Sequence, residues 1–217
     1  QLQLLQDIYN GFARGGANLQ GEQKEKYREL SQKLSLLTLQ FSENCLKETN
    51  DYLKVITDST LLSGLPESAI TAAKETAQEK GVEGWAFTLH APSYVPVMTY
   101  ADNRDLRKEI YMAYNTQCTH DNEHNNLDVV KELANTRMEV AQLLGYKDYA
   151  SYMLEDRMAQ NSEAVYNLLN QLLDAYTPTA KNEYAEVQAL ARNEVGSGFE
   201  LMPWDWSYYS NKLKNEK

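Results

Sequence analysis

Cysteine is nearly missing from this 217-residue chain, in which Cys45 and Cys118 are the only two. Standing far apart, they make no metal-ligand spacing. They leave one disulfide or two buried thiols as the readings, buried thiols being the commoner. Histidine is almost as rare, with His90, His120 and His124 alone. No apolar run approaches the roughly twenty residues of a membrane span. No basic stretch leads into an apolar segment and a small-residue cleavage site, so no signal peptide is visible. Positive charge is short as well: 21 Lys and Arg stand against 31 Asp and Glu, a formal net charge of −10. Phosphate recognition needs clustered Lys and Arg, and none occur, which argues against a nucleic-acid partner. The common catalytic signatures are missing too. There is no G-x-S-x-G elbow, phosphate-cradling glycine loop or dinucleotide fingerprint, and no H-E-x-x-H.

What is present is helix. Tyr27, Leu30, Leu34, Leu37, Phe41 and Cys45 recur at three- and four-residue intervals and predict one long helix from about Glu22 to Glu48. Leu127, Val130, Ala134, Met138, Ala141 and Leu144 form a second stripe, closed by Gly145 as a left-handed cap. A shorter helix is predicted over Tyr149 to Met158. Asn161 or Ser162 caps another whose Val165, Leu168, Leu172 and Tyr176 face inward. Thr177-Pro178 is expected to kink or split that helix before Tyr184, Val187 and Leu190 resume the pattern. Between Asn50 and Thr99 the reading changes to two short strands, Tyr52–Thr57 and Trp85–Leu89, separated by a helix from Glu67 to Lys80. The fold class is therefore mainly α, a helical array with a small inserted β-strand pair within 50–90. The length suits one large domain or two small ones. With no linker or internal repeat, 1–217 reads as a single helical segment.

The ends carry an expectation of their own. The chain opens at Gln1 without Met, straight into Leu2, Leu5, Ile8 and Tyr9. It closes on Pro203-Trp204-Asp205-Trp206-Ser207-Tyr208-Tyr209 and a charged run that stops at Lys217 without a cap. Pro203 suits a first helical turn, where Asp205 faces the positive end of the dipole. Trp204 and Tyr208 then stack at i,i+4, beside a stripe of Trp206, Tyr209 and Leu213. Aromatics on more than one side need cover on more than one side. The expectation is a trimmed chain with an uncovered face that self-associates. The compartment stays open between cytoplasm and periplasm.

The sharpest literal motif is His120-Asp121-Asn122-Glu123-His124. It spells H-x-x-E-H, in which two histidines one turn apart bind zinc and the Glu activates water. Its neighbours speak against that chemistry. Asn122, Asn125 and Asn126 favour caps and turns, and no apolar face anchors a helix here. A polar loop leading to the Leu127 helix is the preferred reading, and His90 reads as structural. The Arg104-Asp105-Leu106-Arg107-Lys108-Glu109 run reads as solvated surface, with Arg104 or Arg107 placed to reach a buried acid. Fifteen tyrosines suit half-buried helix contacts more than a peptide cleft.

The segment Tyr94-Val95-Pro96-Val97-Met98-Thr99-Tyr100-Ala101-Asp102-Asn103-Arg104-Asp105-Leu106-Arg107 resembles the zinc metallopeptidase family of thimet oligopeptidase, oligopeptidase A and bacterial peptidyl-dipeptidase. Arg137 to Tyr146 with Tyr149-Ala150, Met158-Ala159, and Trp204-Asp205 with Tyr208-Tyr209 resemble it in the same order. Pro203-Trp204-Asp205-Trp206 and Phe12-Ala13-Arg14-Gly15-Gly16-Ala17-Asn18-Leu19 look closest to the peptidyl-dipeptidase branch. The resemblance implies a mostly helical fold whose two lobes enclose a peptide channel. It also implies one zinc, held by an H-E-x-x-H helix and a further Glu, and release of dipeptides from free C-termini in that branch. Those catalytic residues lie beyond this chain in family order, so no catalytic, cofactor-binding or metal residue is assigned within it. Zinc, an oligopeptide substrate and a catalytic lobe of the same chain are expected for the parent enzyme, and none of that chemistry for the segment alone. Arg137 is expected to pair with a buried carboxylate, and Trp204 and Tyr208 to fill an interlobe contact. The rival reading is a stand-alone helical interaction module.

Overall fold

The computed structural model describes Leu2–Glu216; Gln1 and Lys217, on which the expectation of trimmed ends rests, lie outside it. Helix dominates, and one short β pair interrupts it, as the periodicity predicts. The residues form two compact units. One comprises the chain up to Asn44 together with Asn125–Asp174, the other Cys45–His124 together with the chain from Ala175 onward.

In the first unit lie α1 (Leu2–Arg14), the start of α2 (Gly21–Asp51), α6 (Leu127–Leu143), α7 (Tyr149–Leu154) and the start of α8 (Ser162–Val195). Its core is small: Leu37 of α2 meets Val129 and Leu133 of α6, with Leu34 alongside. Asn44 donates to Asn126 at 2.9 Å, a buried polar pair that Asn126 extends to the Phe41 carbonyl at 3.1 Å. Gly145 ends α6 as expected. Its φ of +89° lets the Tyr146 and Gly145 N–H groups reach the Ala141 and Gln142 carbonyls at 2.9 and 3.0 Å.

The buried face of α6 is not the predicted stripe. Ala141 of that stripe is buried, but the other buried positions are Val129, Leu133, Thr136 and Val140, whereas Leu127, Val130 and Met138 are exposed. In α8 the supposed inward residues Leu168, Leu172 and Tyr176 are likewise exposed, and α1 buries none of its residues. Pro178 does not split the run of helix: α8 continues from Ser162 to Val195 with the proline inside it. One missing backbone donor at an exposed position leaves the surrounding hydrogen bonds enough to carry the helix through. The short α7 stops at Leu154 rather than Met158.

The second unit holds the β pair, β1 (Lys54–Ile56) antiparallel to β2 (Trp85–Phe87), with Val55 opposite Ala86. Two strands of three residues are not stable alone. They lie on α3 (Glu67–Glu79), whose Ala73 and Ala77 are buried and let the strands approach closely. Gly84, at φ +104°, turns the chain into β2; a Cβ there would meet the Ile56 carbonyl oxygen at 2.2 Å.

The helix α4 (Ala91–Tyr100) was not anticipated; it carries both Pro92 and Pro96. Pro92 sits in the first turn, where the lost N–H costs nothing. Complete burial of Val97 outweighs the single bond lost at Pro96. With α5 (Arg104–Asn115), these elements bury Ile56, Phe87, Leu89, Val97, Leu106 and Ile110 in one core. A second core joins Val187 and Ala191 of α8 to Leu201, Tyr208 and Tyr209. A 3-10 turn, Pro203–Asp205, opens α9 (Trp206–Glu216).

Candidate functional site

Two polar constellations stand out in the second unit. The first is built on Asp205, whose side chain is wholly buried. The Pro203 turn fixes its place: the Asp205 carboxylate accepts the Met202 N–H at 3.0 Å, which caps the helix start. Arg104 forks onto it with Nη2 at 2.7 Å and Nε at 3.1 Å, and Arg107 Nη2 donates to it at 2.9 Å. Burial disfavours the charged carboxylate, but Arg104, the Met202 N–H and Arg107 outweigh that and hold Asp205 below the usual carboxylate range.

Arg107, equally buried, also donates to the carbonyls of Ala101 at 2.6 Å, Asp102 at 3.2 Å and Trp204 at 3.2 Å. Its guanidinium lies 4.1 Å from the Tyr208 ring centre, and the Tyr208 hydroxyl donates to Asp102 at 2.8 Å. Ser63 and then Tyr208 lower the Asp102 carboxyl, while burial and then Asp102 raise the Tyr208 phenol. Both arginines thus reach the same buried acid. Tyr208, expected at an interlobe contact, is interior to this unit, and Trp204 is half-buried edge-on to Tyr111. The buried Arg107 donors and the Asp205 carboxylate meet other protein groups, so the cluster braces the fold.

The second constellation faces an open groove of about 920 Å³. The end of α2 supplies Glu48 and Asp51, the next residue is Tyr52, and the loop after α5 supplies Thr116, His120 and His124. Here H-x-x-E-H is a loop, not a helix turn. His120 Nδ1 lies 2.8 Å from Glu48 Oε1 and its Nε2 lies 3.2 Å from the Thr116 hydroxyl. His124 Nε2 lies 3.3 Å from Asp51 and 3.8 Å from the largely exposed Glu123. Each imidazole is tied to its own carboxylate. Among the described residues, no group of three or more His, Cys, Asp or Glu side chains is arranged to hold a metal. The residues here therefore do not fit a catalytic zinc.

Beside the groove, Cys118 Sγ approaches Cys45 Sγ at 3.8 Å; both are reduced thiols. Burial, then Cys45 and Glu48, push the Cys118 thiol up to about 12. Burial and then Glu109 push the Tyr52 phenol up to about 12 as well. Neither group is poised for acid–base or nucleophilic work at neutral pH.

The remaining residues weighed from the sequence fall elsewhere. His90 caps α4 through its backbone alone. Arg137 is exposed over the Tyr149 ring, 5.5 Å from its centre, and no carboxylate partner meets it among the described residues. The buried-arginine role belongs to Arg107. One cluster went unanticipated: in the first unit, Arg14 donates to Glu155, Tyr146 and the Tyr152 carbonyl. The only hint was Arg14 standing among small residues before a glycine pair.

Comparison with known proteins follows the same lines. Residues 97–217 match the description "Peptidase family M3". Oligopeptidase A of Escherichia coli is 39% identical over 218 residues, covering 99% of this chain and 32% of that protein. The probable cytosolic oligopeptidase A of Arabidopsis thaliana is 32% identical, covering 100% of this chain and 31% of its own length. Dipeptidyl carboxypeptidase of Escherichia coli is 29% identical, covering 100% and 32%. The chain thus spans about a third of the length of these curated relatives.

Proposed function

Because the chain belongs to peptidase family M3, we propose that it forms part of one lobe of a zinc-dependent peptidase acting on short peptides, and that catalysis resides in the rest of such an enzyme. The uncovered apolar helix faces carry this reading. Leu2, Leu5, Ile8 and Phe12 of α1 and Leu168, Leu169 and Leu173 of α8 are each about half exposed or more. Faces of that size on a folded chain ask for a protein surface to cover them. A catalytic lobe is the natural cover.

Two modes of cleavage compete. The Pro203-Trp204-Asp205-Trp206 form supports release of C-terminal dipeptides. The higher identity to oligopeptidase A, 39% against 29%, supports cleavage within the peptide instead.

Fragment complementation tests the reading. This chain is titrated into the separately expressed remainder of Escherichia coli oligopeptidase A, with zinc and a C-terminally free oligopeptide. The expected result is binding and recovered hydrolysis, and the product lengths distinguish the two modes. This chain alone, with zinc, releases no product. Turnover by the chain alone that His120→Ala abolishes would overturn the proposal and restore the inverted zinc motif. A chain that neither binds the remainder nor restores hydrolysis favours the stand-alone interaction module.

A further inference from the structure

We propose that Cys45 and Cys118 are a reversible redox pair, closing to a disulfide that locks the end of α2 to the loop after α5. Four side-chain contacts already lace these two segments together. Cys45 meets Cys118 at 3.8 Å, Glu48 meets His120 at 2.8 Å, Gln117 donates to Thr49 at 2.7 Å, and Asp51 meets His124 at 3.3 Å. Positions 45, 48 and 49 share one face of α2, so that face and the loop already lie in the register a cross-link needs. The sulfurs need to approach by under about 2 Å to go from 3.8 Å to the roughly 2.05 Å of a disulfide.

The loop holds Cys118 in an unusual way. Its φ is +58°, in the left-handed region that glycine or asparagine occupies with less strain. A cysteine kept there against that cost, with its sulfur aimed at the only other cysteine of the chain, points to use of the pair. Exposure divides the roles. Cys118 is 5% exposed, whereas Cys45 is half-buried and open to a small reagent.

The oxidant is a small-molecule disulfide. The Cys45 thiolate attacks one of its sulfurs, forming a mixed disulfide and releasing one thiol. Burial raises the Cys118 thiol, so it gives up its proton to solvent only slowly; the thiolate so formed attacks the Cys45 sulfur and releases the second thiol. Two protein thiols become one disulfide, and the reagent is reduced to two thiols. The bond would close a loop spanning 73 positions and fix the wall from which Glu48 and His120 face the groove.

The full chain is equilibrated with excess oxidised glutathione, and a parallel sample with dithiothreitol. The expected result is loss of both thiols, a mass decrease of two hydrogen atoms, and a non-reducing digest peptide joining Cys45 to Cys118. Melting of the oxidised form should rise by on the order of 10 °C. Dithiothreitol should restore both thiols. Cys45→Ser and Cys118→Ser, each measured against the wild type, should abolish the mass decrease. Two thiols retained by the folded wild-type chain, a lasting glutathione adduct, or cross-links between chains would each overturn the proposal.

Discussion

At the scale of single residues, Asp205 decides whether the interior of the second unit is neutral or charged. It is the shared acceptor of Arg104 and Arg107, and Arg107 is as deeply buried as the acid itself. Asp205→Ala would strand the Arg107 cation in the core, and a loss of about 3–5 kcal/mol is expected by urea unfolding. Arg104→Ala should cost much less, since that side chain is 41% exposed and water replaces part of its bond. The lowered Asp205 carboxyl also sets a pH dependence. A carboxyl depressed by folding contributes its full stability above the unfolded value near 3.9, and that stability drains away as pH falls further. Unfolding free energies measured between about pH 6 and pH 2 should therefore fall on the acid side. Asp205→Asn should flatten that limb; an unchanged slope would show that other carboxylates govern it.

At the scale of elements, the two prolines within helices behave differently, and one of them invites a test. Pro96 is offset by the buried Val97 and Met98, whereas Pro178 lies on an exposed stretch of α8. Pro178→Ala should raise stability by about 1–3 kcal/mol, visible as a higher melting temperature. A decrease would mean that the proline holds a bend the fold requires. Gly84→Ala should act the other way, losing about 2–3 kcal/mol as the β pair is pushed apart, because the added Cβ has a backbone oxygen 2.2 Å away. Hydrogen exchange at Val55 and Ala86 would report the separation.

These elements also show how far the sequence reaches. The long α2, the α3 between two strands and the Gly145 cap were readable, because periodicity and glycine placement are local signals. The α4 helix was not anticipated; tertiary burial offsets the cost of its prolines. The buried face of α6 was misphased because both sides of that helix carry apolar residues, and only packing chooses between them. At the sites, Arg104, Arg107 and Asp205 were recognisable as types, but their meeting joins positions about a hundred residues apart. The carboxylates that hold His120 and His124 looked like ordinary solvated positions on α2.

At the scale of the molecule, the uncovered faces of α1, α6 and α8 predict behaviour in solution. The chain should bind a hydrophobic dye such as anilinonaphthalene sulfonate and self-associate as its concentration rises. A dye-negative, strictly monomeric chain would count against a surface waiting for a partner. The Asp205 cluster bears on the molecule in another way, through the order of its making. The second unit is discontinuous in the chain: both arginines precede the 125–174 excursion and their acid follows it. A ribosome adding about 5–20 residues per second emits Arg104 and Arg107 several seconds before Asp205. Through that interval α5 carries an arginine destined for the interior with no counter-charge, so it cannot dock in its final place. Such delayed, long-range closure slows folding. In pulse-labelled exchange, α5 should gain protection together with α9 and not before it, and nascent chains arrested short of Asp205 should leave α5 open to proteases.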